Sequence, residues 1–375
     1  MAWMRGRPAQ DNGDRSPMLG IRAGICDRKH HTGRSKLQSP PSRQTMLASC
    51  GQTPIGRWCD AAMSPKIGAN FLAARCLPMS RTPAVLLSPA ATVADDGVVL
   101  RPMTAADLPQ THALSAEQRW PHRPVDWEQM FAHSQGLVAE RDGKIVGTAQ
   151  RWLWGERHGT IGLVIVSPAC QGRRIGHRML TALLEGMDNR TLLLQATAEG
   201  RGLYERLGFV RTGEIRQHQG TAQPTPLIAL PAGWRLRPAG LNEAHRLHQL
   251  DEEACGMPRA ALIDDLLAQA SACVVLDHEG TPKGFAMLRR FGRGHALGPV
   301  VAPDAEGAKA MISHLAGMNA GHFTRIDIDF ASGLSEWLES IGLLRVDAPT
   351  TMVRGTPAQP SGGIRLFALV SQALC

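Results

Sequence analysis

Apolar positions in this chain have no sustained spacing over its first ninety residues and a strong one from residue 98 onward. Residues 98–102, VVLRP, read as a short strand. Residues 104–118 read as a helix, with Thr104 as its N-cap and Asp107 at the third helical position. A second helix at 125–133 stacks Trp127 and Phe131 four apart, both as core residues. Residues 136–154 alternate into two strands around the turn Arg141-Asp142-Gly143-Lys144. The run 160–168 is continuously apolar, a buried strand stopped by Pro168. Residues 171–186 predict a helix whose Ile175, Met179, Leu180, Leu183 and Leu184 form one stripe. A buried strand follows at 191–197. Next comes a short helix with Leu203 and Leu207 facing inward and Gly208 as its C-terminal cap, then a strand at 209–215.

The order then starts again. Leu100-Arg101-Pro102 recurs as Leu236-Arg237-Pro238, and Gly162 in the apolar strand recurs as Gly298, both at an offset of 136. Leu207-Gly208-Phe209 recurs as Ile341-Gly342-Leu343, an offset of 134. Three anchors at nearly one spacing predict two copies of one mixed α/β domain rather than a solenoid. Residues 98–231 form the first copy and 232–375 the second. The segment 224–233, PTPLIALPAG, is expected to hold the last strand of the first copy and the link to the second.

Composition separates the ends of the chain. Residues 1–80 hold 12 Lys and Arg against 4 Asp and Glu, and the other 295 residues hold 29 of each. The whole net charge of +8 therefore sits ahead of the periodic region and says nothing about a substrate of the two copies. Residues 1–90 are rich in Arg, Ser, Pro and Gly, a composition that buries too little apolar surface to offset chain entropy. They read as a disordered tail, a basic targeting peptide, or sequence translated upstream of the true start. Met79, just ahead of the first periodic stretch, favours the last. Nucleic-acid binding by this segment is disfavoured, since its charge is scattered and its aromatics are few. Cys26, His30, His31, Cys50 and Cys59 fit no zinc spacing, so no metal is expected. The eight cysteines include no CxxC pair, and no run of about 18 apolar residues occurs. A reducing compartment, the cytoplasm, and no membrane partner are the expectation.

Chemistry concentrates after the apolar strand. Ser167-Pro168-Ala169-Cys170 leads into Gln171-Gly172-Arg173-Arg174-Ile175-Gly176-His177, which opens a helix. Free N–H groups at a helix start form an anion site, glycines let phosphate oxygens approach the main chain, and arginines add charge. No GK[ST] follows and no GxGxxG is present, which excludes a Walker loop and a dinucleotide fingerprint. Downstream lies GLYERLGF, whose Tyr204 is the only tyrosine among 375 residues. A phenol differs from the chain's other aromatic rings in its ionisable O–H, so Tyr204 is either a proton donor or an ordinary packing ring.

Taken together, the strand GLVIV with its Ser-Pro, the loop and helix QGRRIGHRML and the GLYERLGF stretch resemble the GNAT family of acetyl-CoA-dependent N-acetyltransferases. The resemblance covers roughly 98–230, with a diverged copy over 232–375. This tandem is similar to bacterial GNAT proteins that carry a second, YitH-type acetyltransferase domain. The resemblance implies that the loop Gln171, Gly172, Arg173, Arg174, Ile175, Gly176 and His177 binds the coenzyme pyrophosphate. Arg174 stands where the family's middle glycine falls. The resemblance also implies that main-chain groups of Val164, Ile165 and Val166 pair with the pantetheine arm like an added strand. Tyr204 would protonate the departing thiolate as a general acid.

No general base is identified. The strand Gly162-Leu163-Val164-Ile165-Val166 carries no carboxylate, and Glu156, His158 and Glu199 read as solvated surface residues. Trp120, Trp152 and Trp154 could line an acceptor pocket, though packing is the commoner fate of each. In the second copy the loop residues correspond to Glu306, Gly307, Ala308, Lys309 and Met311, and Tyr204 to Leu338. That copy is expected to lack the anion cradle and the acid and to shape the acceptor site, with Asp327 and Asp329 on one strand face. The expected activity is acetyl transfer to a primary amine of a small molecule or peptide by direct attack in a ternary complex. The alternative is a non-catalytic acyl-CoA-binding module on the same fold.

Overall fold

Arg101 and Arg237, the first recurring anchor, close the same small motif in both halves of the chain. In the computed structural model, which describes residues 96–375 except Leu241, Arg101 forks onto Asp107 with two bonds of 2.8 Å. The Asp107 carboxylate in turn accepts from the Thr104 N–H at 2.7 Å. Arg237 forks onto Glu243, which accepts from the Gly240 N–H. Each motif ties a first strand to the entrance of the helix after it. The expectations for residues 1–90 lie outside the described residues.

The first half runs β1 (Val99–Pro102), α1 (Leu108–Glu117), α2 (Pro124–Ala132), β2 (Ser134–Arg141), β3 (Lys144–Trp154) and β4 (His158–Val166). It continues with α3 (Ile175–Leu184), β5 (Thr191–Ala196), α4 (Arg201–Glu205) and β6 (Val210–Thr221). The second half repeats that order as β7 (Trp234–Pro238), α5 (Ala244–Cys255), α6 (Ala260–Gln269), β8 (Ala270–His278), β9 (Thr281–Phe291) and β10 (Gly294–Ala302). Then come α7 (Ala305–Met318), β11 (Phe323–Asp329), α8 (Ser335–Ser340), β12 (Leu344–Asp347), β13 (Thr350–Arg354) and β14 (Arg365–Ala368). The fold is mixed α/β, with two copies in tandem on one continuous sheet. All five stripe residues of α3 are buried, as their spacing predicts.

The sheet runs β1-β2-β3-β4-β5-β13-β6-β11-β14-β10-β9-β8-β7, with β12 paired to β6. One expectation is overturned here. Residues 224–233 form no strand. The place beside β5 is filled from the second half: β13 pairs with β5 from Thr350↔Ala196 to Arg354↔Leu192, and with β6 on its other side. The far end of β6 pairs with β11, from Asp329↔Ile215 to Phe323↔Thr221. Period and polarity could not reveal this, because a strand's own sequence does not name its neighbour. Met352 of β13 is fully buried in the same apolar cluster as Leu194, Tyr204 and Phe209 of the first half. A second cluster joins Trp127, Met130 and Trp152 to Leu250, Leu262, Phe285 and Leu374, so the halves share a core.

Candidate functional site

β4 and β5 run parallel and pair only from His158↔Thr191 to Ile161↔Leu194. Beyond that point they part. The break coincides with a bulge in β4: the β3 register skips between Gln150↔Gly162 and Thr148↔Ile165, and Leu163 takes φ 52°. Past the bulge, β4 keeps β3 on one side, with Ile165 opposite Thr148 and Val166 opposite Gly147. On its other side no strand among the described residues covers Val164–Val166. The second copy shows what such an edge accepts. Val300, Val301 and Ala302, each 136 residues after Val164, Ile165 and Val166, pair with Ala368, Leu366 and Arg365 of β14. The chain's own β14 thus fills the slot in one copy that stays open in the other.

At the end of β4 the loop turns through Pro168–Cys170, and the Gln171 side-chain Nε2 donates to the Val166 carbonyl at 3.1 Å. Gly172 takes φ +77° with nothing within 4 Å of where a Cβ would stand. Arg174 is left-handed too, at φ 59° and ψ 14°. The arginine at the family's glycine position therefore keeps a glycine-like path, at a local cost of about 1–2 kcal/mol. It leads straight into α3. No side chain caps that helix, and the N–H groups of Ile175, Gly176 and His177 have no partner among the described residues. Arg173 and Arg174 are exposed, and Ile175 is buried as an anchor. His177 faces Thr181 through Nδ1 at 3.4 Å.

The second copy differs at this point in a way that spacing did not reveal. Glu306, Gly307, Ala308, Lys309 and Met311 all lie inside α7, not in a loop. Asp304 caps α7, accepting from the Gly307 N–H at 2.8 Å. A helix start capped by its own carboxylate, with Glu306 in the first turn, repels phosphate.

A Cβ on Gly176 would come within 3.4 Å of Leu203 and 3.6 Å of Val166, so α3, α4 and the end of β4 meet there. Tyr204 sits on α4, 8% exposed, with its ring edge-on to Phe209 at 6.1 Å between centroids. Its hydroxyl has no hydrogen-bond partner among the described residues, and burial pushes the phenol's pKa above its ordinary value. The Phe209 N–H closes onto the Tyr204 carbonyl at 3.1 Å, and the Leu343 N–H onto Leu338 at 3.0 Å. The same turn thus carries a phenol in one copy and an aliphatic chain in the other.

The remaining candidates disperse. Trp152 and Trp154 are core residues, bonded to the Met130 carbonyl at 2.8 Å and the Thr160 hydroxyl at 3.2 Å, and Trp120 is half-buried. Glu156 and Glu199 are exposed. His158 is half-buried, its pKa lowered chiefly by burial and then by Arg157 and Arg190. Asp327 is neutralised by Arg325 at 2.7 Å, and Asp329 caps its own turn through the Ala331 N–H. Among the described residues no group of three or more His, Cys, Asp or Glu side chains could hold a metal ion, and no helix is long and apolar enough to cross a membrane. Sequence reasoning passed over Arg289, which is 4% exposed yet borders a cleft between α2 and α6. It stands beside Arg290 at the end of β9, and nothing in that pair tells the buried arginine from the exposed one.

Two family models, each described as Acetyltransferase (GNAT) domain, match this chain over residues 97–223 and 247–368. The uncharacterized N-acetyltransferase YitH of Bacillus subtilis (strain 168) is 30% identical over 235 residues, covering 62% of this chain and 82% of that protein. A putative acetyltransferase from Pyrococcus horikoshii superposes with a TM-score of 0.62 at 19% identity, over 76% of this chain and 98% of that one. A tandem GNAT protein from the clavulanic acid biosynthesis pathway superposes with a TM-score of 0.51 at 16% identity, over 70% of this chain and 99% of that one. This chain belongs to the GNAT acetyltransferase family, in its tandem form.

Proposed function

We propose that this acyltransferase is an N-acetyltransferase that moves an acetyl group from acetyl-CoA to a primary amine, with the first copy as the catalytic one. The observation that carries the reading is the contrast at one structural position. The β4 edge at Val164–Val166 is open where β10 is filled by β14, and α3 starts with free amides where α7 is capped by Asp304. In this reading Val164, Ile165 and Val166 hold the pantetheine arm through main-chain groups, as β14 is held in the second copy. The 171–177 loop takes the pyrophosphate on the N–H groups of Ile175, Gly176 and His177, with Arg173 and Arg174 supplying charge. Gly176 keeps the first turn of α3 clear of side chain beside Val166 and Leu203.

The amine attacks the thioester carbonyl directly while both substrates are bound. As the C–S bond breaks, Tyr204 gives its proton to the departing sulfur, and the proton shed by the attacking nitrogen passes to solvent, from which the phenol is restored. A buried phenol stays protonated through neutral pH, which suits a donor, and its hydroxyl is not spent on another bond. The test is thiol release from acetyl-CoA with pooled amines, amino acids and peptides as acceptors, combined with calorimetry of acetyl-CoA binding. Turnover that disappears in the Arg173→Ala/Arg174→Ala double variant supports the reading. Tight acetyl-CoA binding without turnover on any acceptor would make the first copy an acyl-CoA-binding module instead.

A further inference from the structure

Two adjoining shallow hollows lie between α2 of the first copy and α6 of the second. The helices are linked at the rim, where His133 meets Asp265 at 2.5 Å and Gln129 donates to Gln269. Arg289 of β9 borders both hollows. Its Nε donates to the Gly298 carbonyl at 2.8 Å and one terminal nitrogen donates to the Val370 carbonyl at 2.5 Å. Both partners are neutral, and no carboxylate among the described residues bonds to this guanidinium.

The carboxylates nearby are already engaged, and Arg290, which also lines the second hollow, is exposed to solvent. Arg123 pairs with Asp126 at 2.6 Å, and Asp126 also accepts from the Gly292 N–H. Asp265 has His133. Arg289 is thus a buried cation at the cleft without a carboxylate bonded to it, its guanidinium 5.9 Å from the Phe291 ring centroid. Burial pulls its pKa down to about 10, with weaker opposing help from Asp126 and Asp327. Folding does not require a charge at this place. β3 and β9 are both 11 residues long, and aligned end to end they set Arg289 opposite Trp152, which bonds the Met130 carbonyl with a neutral indole. An unpaired buried charge is costly.

The same wall packs against β4 at Gly162, two residues before its open stretch. Val370, Ser371 and Leu374 line the cleft. Ala373, from that segment, lies so close to Gly162 that a Cβ there would stand 2.8 Å from its own. Gly162 is where β4 and β5 part. Resting on the acetyl-transfer reading above, we propose that the cleft is the outer half of the acceptor site and that Arg289 binds the acceptor's carboxylate there. The acceptor class is therefore an amino acid or similar amine acid, with its anionic end on Arg289 and its amine toward Gly162. A planar carboxylate can take two parallel N–H bonds from the free side of a guanidinium.

The experiment compares matched acceptors on the full chain with acetyl-CoA: phenylalanine against phenethylamine, lysine against cadaverine, β-alanine against ethylamine. The amine lacking a carboxylate is expected to have kcat/KM lower by at least about tenfold, the scale of one charge-assisted pair. In Arg289→Met the preference should vanish while KM for acetyl-CoA is unchanged. Arg289→Lys, which keeps the charge, should retain part of it and guards against misfolding of the Met variant. Equal use of acid and amine by the wild type, or a preference that survives in Arg289→Met, overturns the proposal. Calorimetry with propionate and with inorganic phosphate separates it from the acetyl-transfer reading. Propionate binding that Arg289→Lys weakens, without turnover of any acceptor, upholds the carboxylate site and sinks the transferase. Phosphate binding without propionate binding overturns the carboxylate site even if turnover is found.

Discussion

Ala368 lies opposite Val300 in an antiparallel ladder, while Val164, the residue 136 positions before Val300, has no strand beside it on that edge. Successive N–H groups of a strand point to alternate edges, so the stretch Val164–Val166 directs at least one toward the open side. Hydrogen exchange read by mass spectrometry should reflect the difference. Amides of Val300–Ala302 should be slow with or without acetyl-CoA, and those of Val164–Val166 should slow only when it is added. Protection in the second copy that rises with acetyl-CoA would contradict the assignment of coenzyme binding to the first.

Arg174 combines a strained backbone with a useful charge, and the two can be separated. Arg174→Gly removes the left-handed penalty and should raise unfolding stability by up to about 1 kcal/mol, despite the greater freedom of glycine in the unfolded chain. Arg174→Ala keeps the penalty and should not gain. Both should weaken acetyl-CoA binding alike, by about 1–3 kcal/mol if the guanidinium bonds the pyrophosphate. Denaturant titration and calorimetry on the two variants give the answer. If the glycine variant binds more tightly than wild type, the charge contributes nothing and the loop path is what matters.

Much of this was legible because local rules govern it. The α3 stripe, the β4 run stopped by Pro168 and the Thr104–Asp107 cap all follow from spacing within a few residues. The duplicated order was legible because Arg101 and Arg237 must each close a cap. What escaped the sequence is long-range. Nothing in Thr350–Arg354 says that it leaves its own half to fill the gap beside β5, and the apolar segment at 224–233 was a natural but wrong choice for that strand. The anion cradle was visible in its glycines and arginines, whereas the acceptor cleft was not, since Arg289 gains its meaning only from Val370 and α2.

The exchange of β13 makes the halves mutually dependent. Met352→Ala leaves a cavity in the first half's core and should cost roughly 2–5 kcal/mol, although the residue belongs to the second copy. A chain ending at residue 231 lacks β13 altogether, exposing the edges of β5 and β6. It should show no cooperative unfolding transition by calorimetry, and adding the fragment 232–375 should restore one. A cooperative transition in the short chain alone would mean that residues 224–231 can substitute for β13.

Tyr204→Phe separates proton donation from packing. The ring stays against Phe209 and the missing hydroxyl had no bonded partner, so the fold should be nearly unaffected at neutral pH. If the phenol protonates the leaving thiolate, kcat should fall by roughly 100-fold or more, a common scale for a positioned acid, with acetyl-CoA affinity nearly constant. The pH behaviour has a definite sign. Burial raises the folded-state pKa above the ordinary value of about 10, so the donor stays protonated over the usual assay range and any descending limb due to it lies above that value. The same shift means that the native state holds this proton more tightly than the unfolded chain. Its stabilising contribution is therefore full below about pH 10 and is lost as pH rises from there toward the folded pKa. Wild-type stability should drop across that window more steeply than that of the Phe variant. An activity profile that falls with a midpoint near pH 8 in both proteins would assign that limb to another group. Full activity in the Phe variant would return Tyr204 to the role of a packing ring.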